Sequence, residues 1–186
     1  MKSVEMVKLE NKLTLKKKIK IGILGGSFDP AHEGHLAISK EAKKKFRLKN
    51  IIWAITKKNP LKNKSNLSVK RRINFAKKII KLNTFIKIKF YEDKINSNKT
   101  INLINYLSKN KSLDINFIMG ADNLINFHKW HKWRLISKKC NILVFDRYGY
   151  KSKSLKSITF KHLNQKNLEF INFKKVNISS SQLRKI

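Results

Sequence analysis

A chain of 186 residues, 41% of them apolar, is long enough for one domain with a sizeable core. Its one cysteine, Cys140, stands apart from any CxxC or Cys/His cluster, which excludes an internal disulfide framework and a structural zinc site. The 44 Lys and Arg against 11 Asp and Glu, a net +33, would draw polyanions, but the lysines are spread almost uniformly among abundant Asn and Ile. A/T-rich coding accounts for that bias as well as selection for binding does, so no dedicated nucleic-acid partner is expected. With no apolar run of spanning length and no signal-peptide pattern, no membrane partner is expected either, and the default compartment is the cytosol.

Residues 1–18 alternate basic and apolar side chains without a period and read as a surface arm ahead of a domain covering 19–186. Ile19 to Leu24 is almost continuously apolar, a strand buried on both faces. It leads into GGSFDPAHEGH, Gly25 to His35, after which Leu36, Ala37, Ile38, Ala42 and Phe46 take up helical spacing. Asn50 to Thr56 reads as a second strand, parallel to the first through a right-handed crossover. Lys57 to Leu67, with Pro60, reads as an exposed loop or a ligand cover. Ser68 can cap a helix through Val69, Ile73, Ala76 and Ile80. Near its start, Arg71 and Arg72 suit phosphate gripping, although such a pair is usually a solvated face. Phe85 to Phe90 is a third strand, and Asn98 or Thr100 caps a helix through Ile101, Ile104 and Leu107.

Ile115 to Met119 reads as a fourth strand, closed by Gly120-Ala121-Asp122 where a parallel sheet offers its carboxyl ends to ligands. Asp122 there is either a helix cap or a partner for a ribose hydroxyl or a metal. In His128-Lys129-Trp130-His131-Lys132-Trp133, tryptophan within a basic run suits stacking on a planar group or shielding a cleft. The two histidines lack a third metal ligand, so a metal site is rejected. Asn141 to Phe145 is a fifth strand, followed by Asp146-Arg147 and a turn at 148–150. Residues 151–167 are polar around a short strand, Ile158 to Phe160, and Leu168 to Phe173 is a further strand. His162 has no neighbour that suggests chemistry. Strands alternating with helices argue for one three-layer α/β domain.

The chemistry concentrates in the first loop. Adjacent glycines let the backbone approach a ligand, and the start of the following helix presents unpaired N–H groups to an anion. His32 and His35, three apart, share one helical face beside that anion. The loop is neither a Walker loop nor a dinucleotide fingerprint, since no Lys-Ser or Lys-Thr follows a glycine and GxGxxG is absent.

Together with Ile178-Ser179-Ser180-Ser181-Gln182-Leu183-Arg184, the loop closely resembles the HxGH nucleotidyltransferases, the adenylyl- and cytidylyltransferase superfamily, whose second motif is ISSTxxR. The order of GSFDPxHxGH, Gly-Ala-Asp after the fourth strand, a Lys-Trp dipeptide, Arg147 and ISSSxxR is similar to the nicotinate-nucleotide adenylyltransferase family over residues 19–184. That resemblance implies a Rossmann-like fold with a mainly parallel sheet. It implies transfer of the adenylyl group of ATP to nicotinic acid mononucleotide, giving deamido-NAD and pyrophosphate in NAD biosynthesis. His32, His35 and Arg184 would be catalytic, with Gly25, Gly26, Ser27, Phe28, Ile178, Ser179, Ser180 and Ser181 around ATP. Gly120, Asp122, Arg147 and Lys62 would line the pyridine nucleotide, Trp130 would stack on its ring, and backbone N–H groups of Thr100 and His131 would receive its carboxylate. Mg2+ would bridge phosphate oxygens, held mainly by substrate, with no metal site on the protein.

Two departures stand out: Leu61 precedes Lys62 where the family often has histidine, and Lys99 precedes Thr100 where an aromatic is usual. Within the superfamily the rival is phosphopantetheine adenylyltransferase, which shares the SFDP loop and ISSS but usually has threonine for the first histidine and lacks Lys-Trp. A nucleic-acid-binding α/β module is the rival of another class. The number of copies is not fixed by the sequence, and a homo-oligomer is compatible with it.

Overall fold

The structure, a computed structural model, describes residues 17–57, 67–163 and 167–173. In chain order it contains β1 (Ile19–Gly26), α1 (Glu33–Phe46), β2 (Asn50–Ile55), α2 (Val69–Ile80), β3 (Ile86–Phe90), α3 (Glu92–Ile95) and α4 (Thr100–Leu107). These are followed by β4 (Leu113–Gly120), α5 (Ala121–Asn126), a 3-10 turn (Phe127–Lys129), α6 (Trp133–Lys139), β5 (Asn141–Phe145), α7 (Lys151–Leu155), α8 (Ile158–Leu163) and β6 (Leu168–Ile171). Among the described residues the strands form one sheet in the order β3-β2-β1-β4-β5-β6, and every pairing is parallel. The chain starts in the middle, winds outward through β2 and β3, then returns to the other side of β1 for β4 to β6. The sheet therefore has its topological switch point between β1 and β4.

Alternation along the strands builds two cores. Ile21, Ile23, Ile115, Phe117 and Ile142 point to one face, where α4, α5, α6 and α8 supply Ile101, Leu124, Ile136 and Leu163. Leu24, Trp53, Ile118 and Phe145 point to the other, beneath Leu36 and Ala42 of α1 and Ala76 of α2. This is the expected three-layer α/β domain. Gly22 sits on the second face, where an added Cβ would meet Ile118 Cδ1 at 2.9 Å and Ile51 Cγ1 and Leu48 Cδ1 at 3.0 Å. Gly22→Ala overpacks this layer and is expected to cost about 1–3 kcal/mol, read as a lower urea midpoint with an unchanged slope. At the sheet edge, β3 alternates buried Ile86 with exposed Lys87 and Lys89, charges that oppose edge-to-edge pairing.

The segment Ile158 to Phe160, expected as a strand, is the first half of α8. Its start is capped by Ser157, whose Oγ accepts from Phe160 N–H at 3.2 Å. Thr159 is fully buried and its Oγ1 receives the His128 N–H at 3.1 Å. Three β-formers in a row carry little weight against a serine cap and this docking. Ser68 caps α2 as expected, accepting from Arg71 N–H. At α4 neither Asn98 nor Thr100 is the cap: Lys99 holds that position without a side-chain bond, and Ser97 Oγ accepts from Lys99 N–H and Asn102 Nδ2 instead. The arm at 1–18 lies outside the described residues except for Lys17 and Lys18.

Candidate active site

β1 pairs with β4 only as far as Leu24, whereas its pairing with β2 continues through Gly25 and Gly26. The last two residues of β1 are thus unpaired on the β4 side, at the switch point where doubly wound sheets take their ligands. Phe28 has φ 48°, a left-handed conformation costly for a bulky residue. Packing holds it there: its ring is 1% exposed, stacks on Trp53 at 5.0 Å and lies 4.7 Å from the His35 ring. Trp53 Nε1 in turn donates to Ser39 Oγ at 2.8 Å, and Ser39 Oγ donates to the His35 carbonyl at 2.8 Å. The start of α1 is thereby tied to the sheet through buried bonds.

His32 is the N-cap of α1 and His35 its third helical residue, and the two cap it reciprocally. His32 Nδ1 accepts from Gly34 N–H at 3.1 Å, while His35 Nδ1 accepts from His32 N–H at 3.2 Å. This is a capping box built from imidazoles. A nitrogen that accepts is unprotonated, so in each neutral ring the proton sits on Nε2, across the ring from the helix backbone. The ring centroids are 3.8 Å apart, which makes two adjacent N–H donors beside the positive end of a helix of 14 residues.

Burial first, and the positive charge of Arg147 second, lower the His32 pKa to about 4. The ring is therefore neutral at pH 7, a donor and not a proton reservoir. Because the folded value lies below the usual 6.5, the unfolded chain binds this proton more readily. The His32 contribution to stability is complete above about pH 6.5 and declines as pH falls toward 4. A His32→Gln variant is expected to lose less thermal stability than wild type between those pH values; parallel pH profiles would refute the assignment.

On the strand beside β1, Gly120 ends β4 and Asp122 lies in the first turn of α5, so it is not the helix cap. Asp122 Oδ2 accepts from Arg147 Nη1 at 2.6 Å, and Arg147 lies just after β5 with its guanidinium 5.7 Å from the Tyr150 ring. Strands β1, β4 and β5 thus deliver His32, Asp122 and Arg147 to adjoining points of one sheet edge. Thr100 opens α4, where the first N–H groups have no intrahelical partner. Trp130 is half-buried, its ring edge-on to Phe117 at 6.0 Å and to Phe127 at 5.2 Å, and His131 next to it is exposed. Trp133 is a core residue that packs on Phe127 and His162, not a second stacking platform. Lys62, Ile178, Ser179, Ser180, Ser181 and Arg184 lie outside the described residues.

Arg72 departs from both readings of the α2 arginines, phosphate grip and solvated face. It is 2% exposed and spends its donors on backbone carbonyls, while Arg71 is exposed and lines a surface groove of about 400 Å³ with Leu67, Asn74, Phe75 and Lys78. The sequence carries the signal: Arg72 precedes Ala76 by four and follows Val69 by three, inside the apolar stripe of the helix. Glu92 is a residue that sequence reasoning misses. It receives a hydrogen bond from Thr56 Oγ1 and joins the ends of β2 and β3, with Lys57 Nζ to Asp93 Oδ1 beside it at 2.6 Å.

Two adjacent imidazoles on a helix start at the switch point of a parallel sheet are the arrangement expected of the nucleotidyltransferase class. In agreement, the cytidylyltransferase-like family model matches residues 23–186. A protein of Pelagibacter ubique (strain HTCC1062), "Probable nicotinate-nucleotide adenylyltransferase", is 71% identical over 97% of this chain and 100% of its own. One of the same name from Ruegeria sp. (strain TM1040) is 39% identical over 69% and 68%. The solved structure "Plasmodium falciparum nicotinic acid mononucleotide adenylyltransferase complexed with NaAD" shares the fold with a TM-score of 0.73 at 21% identity, covering 89% of this chain and 82% of that one. The chain belongs to the nicotinate-nucleotide adenylyltransferase family.

Proposed function

We infer that the chain transfers the adenylyl group of ATP to nicotinic acid mononucleotide, giving deamido-NAD and pyrophosphate. The observation that carries this reading is the reciprocal cap of His32 and His35, which engages Nδ1 of both rings and sets the two imidazoles side by side at a helix start. An oxygen of the acceptor 5′-phosphate attacks the α-phosphorus in line, the bond to the α–β bridging oxygen breaks, and pyrophosphate leaves. Such a transfer asks the protein for alignment and for neutralisation of spreading negative charge, with no covalent intermediate. His32 and His35 donate to the triphosphate, the glycines Gly25 and Gly26 admit it, and Arg147 adds positive potential. Arg184 and the serines 179–181 belong to the same proposal through the family motif. Trp130 stacks on the pyridine ring, and N–H groups at Thr100 and His131 favour its carboxylate over an uncharged carboxamide.

Mg2+ fits this arrangement as an ion held by substrate oxygens. Among the described residues no three carboxylate, thiol or imidazole groups cluster to hold a metal, and Asp122 is already paired with Arg147. Its chemistry when bound is charge neutralisation on the phosphates. Among the described residues no helix is long and apolar enough to cross a membrane. We place the reaction in the cytosol and assign the basic surface no dedicated nucleic-acid partner.

The test is pyrophosphate release from ATP and magnesium with each acceptor. Nicotinic acid mononucleotide is expected to exceed both its nicotinamide counterpart and phosphopantetheine; release with phosphopantetheine alone would shift the assignment within the superfamily, and none with any acceptor would favour a binding module. In the same assay Trp130→Ala is expected to raise KM for the pyridine nucleotide by about tenfold, because a lost aromatic stack is worth about 1–1.5 kcal/mol. KM for ATP should barely move, and equal changes in both constants would remove Trp130 from the acceptor site.

A further inference from the structure

The guanidinium of Arg72 is buried, no carboxylate among the described residues forms an ion pair with it, and its donors go to three separate chain segments. Nε donates to Leu67 O at 3.0 Å, Nη1 to Ser27 O at 2.5 Å and to Thr56 O at 2.7 Å, and Nη2 to Lys57 O at 3.2 Å. Leu67 precedes α2, residues 56 and 57 follow β2, and Ser27 lies in the phosphate loop. We propose that Arg72 is a positioning residue for ATP, fixing the Ser27–Phe28 peptide so that the loop is ready for the triphosphate before it arrives.

The argument is one of peptide geometry. In a planar trans peptide the N–H points opposite to the preceding C=O. Gly26 O accepts from Thr56 N–H at 3.0 Å, on the β2 side, so Ser27 N–H faces the other way, toward the unpaired side of β1. Ser27 O is held by Arg72, so Phe28 N–H is turned away from the guanidinium. Phe28 needs such a hold, since its φ of 48° is not a conformation the chain keeps unaided. Thr56 completes the frame: its N–H, carbonyl and hydroxyl bond to Gly26, Arg72 and Glu92 respectively. A lysine at 72 would keep the charge but lose the planar fork that reaches several carbonyls at once.

The proposal rests on ATP being the ligand of this loop, and its test separates the two. Arg72→Lys, with Arg71→Ala as a control for lost charge, is compared with wild type by ATP titration calorimetry, by thermal melting and by turnover. The folded Arg72→Lys protein is expected to bind ATP at least tenfold more weakly, to show a matching rise in ATP KM, and to keep the acceptor KM within twofold. Arg71→Ala should match wild type. A purely structural role would lower the melting temperature and the active fraction with ATP Kd and KM unmoved, and that outcome overturns the proposal. Should Arg72→Lys not fold, the Arg72 side-chain N–H signals of wild-type protein, assigned from the backbone, decide. Their exchange should slow at least fivefold on adding a non-hydrolysable ATP analogue and stay unaltered with the mononucleotide; no response to the analogue overturns the proposal. Wild-type protein that binds no ATP would defeat the transfer reading itself.

Discussion

His35→Ala is expected to lower kcat by about 10²–10³-fold while the protein stays folded. The imidazole has two jobs with different energies. Its Nδ1 accepts from His32 N–H, half of the cap on α1, and losing such a cap costs about 1 kcal/mol, which moves the melting temperature of a chain this size by about 2–4 °C. In the proposed transfer its Nε2–H would donate to the charge that grows on the phosphates. Removing one preorganised donor of that kind costs about 2.7–4 kcal/mol of activation free energy. The two losses appear in different measurements, a small shift in melting and a large fall in kcat. A His35→Gln variant, which keeps an amide donor, should fall between wild type and alanine. Turnover within tenfold of wild type in a folded His35→Ala protein would take the ring out of the reaction.

The same residue shows how much of the site is legible in the order of side chains alone. A spacing of three predicts two rings on one face, and the rings do lie 3.8 Å apart. That spacing also makes them the first and last members of a capping box, which normally uses Ser or Thr with Glu. The pattern is hidden because imidazoles occupy both places. The strands of the parallel core are legible because both their faces are buried and their apolar runs are continuous. The periphery is less so. At 158–160 three apolar or β-branched residues give too short a window to separate strand from helix, and the deciding contact, Thr159 beneath His128, links residues 31 apart. Arg72 is misread for another reason: its charge draws more weight than its helical phase. An arginine on the buried stripe of an amphipathic helix must satisfy its donors inside the protein, and its acceptors here are backbone carbonyls, Ser27 O of the first loop among them.

A second large effect is expected from a methyl group at Gly120. A Cβ there would lie 2.5 Å from Asp122 Oδ1, inside any tolerated contact, so the carboxylate must move. Its other oxygen holds Arg147 at 2.6 Å, and the Asp122 side chain is only 15% exposed, so moving it strains the pair and loosens the hold on the guanidinium. Breaking a fully buried pair costs about 3–5 kcal/mol, but Arg147 is 35% exposed and solvent compensates part of the loss. A drop of about tenfold in kcat/KM follows for Gly120→Ala, with Arg147→Ala larger at about 10²-fold, because it also removes the positive potential beside His32. The informative measurement is the double variant. If Gly120 acts only by letting Asp122 aim Arg147, then once Arg147 is gone the extra methyl has nothing left to disturb, and the double variant should be no worse than Arg147→Ala alone. Full additivity of the two effects would mean that the ion pair does not aim the arginine at the site.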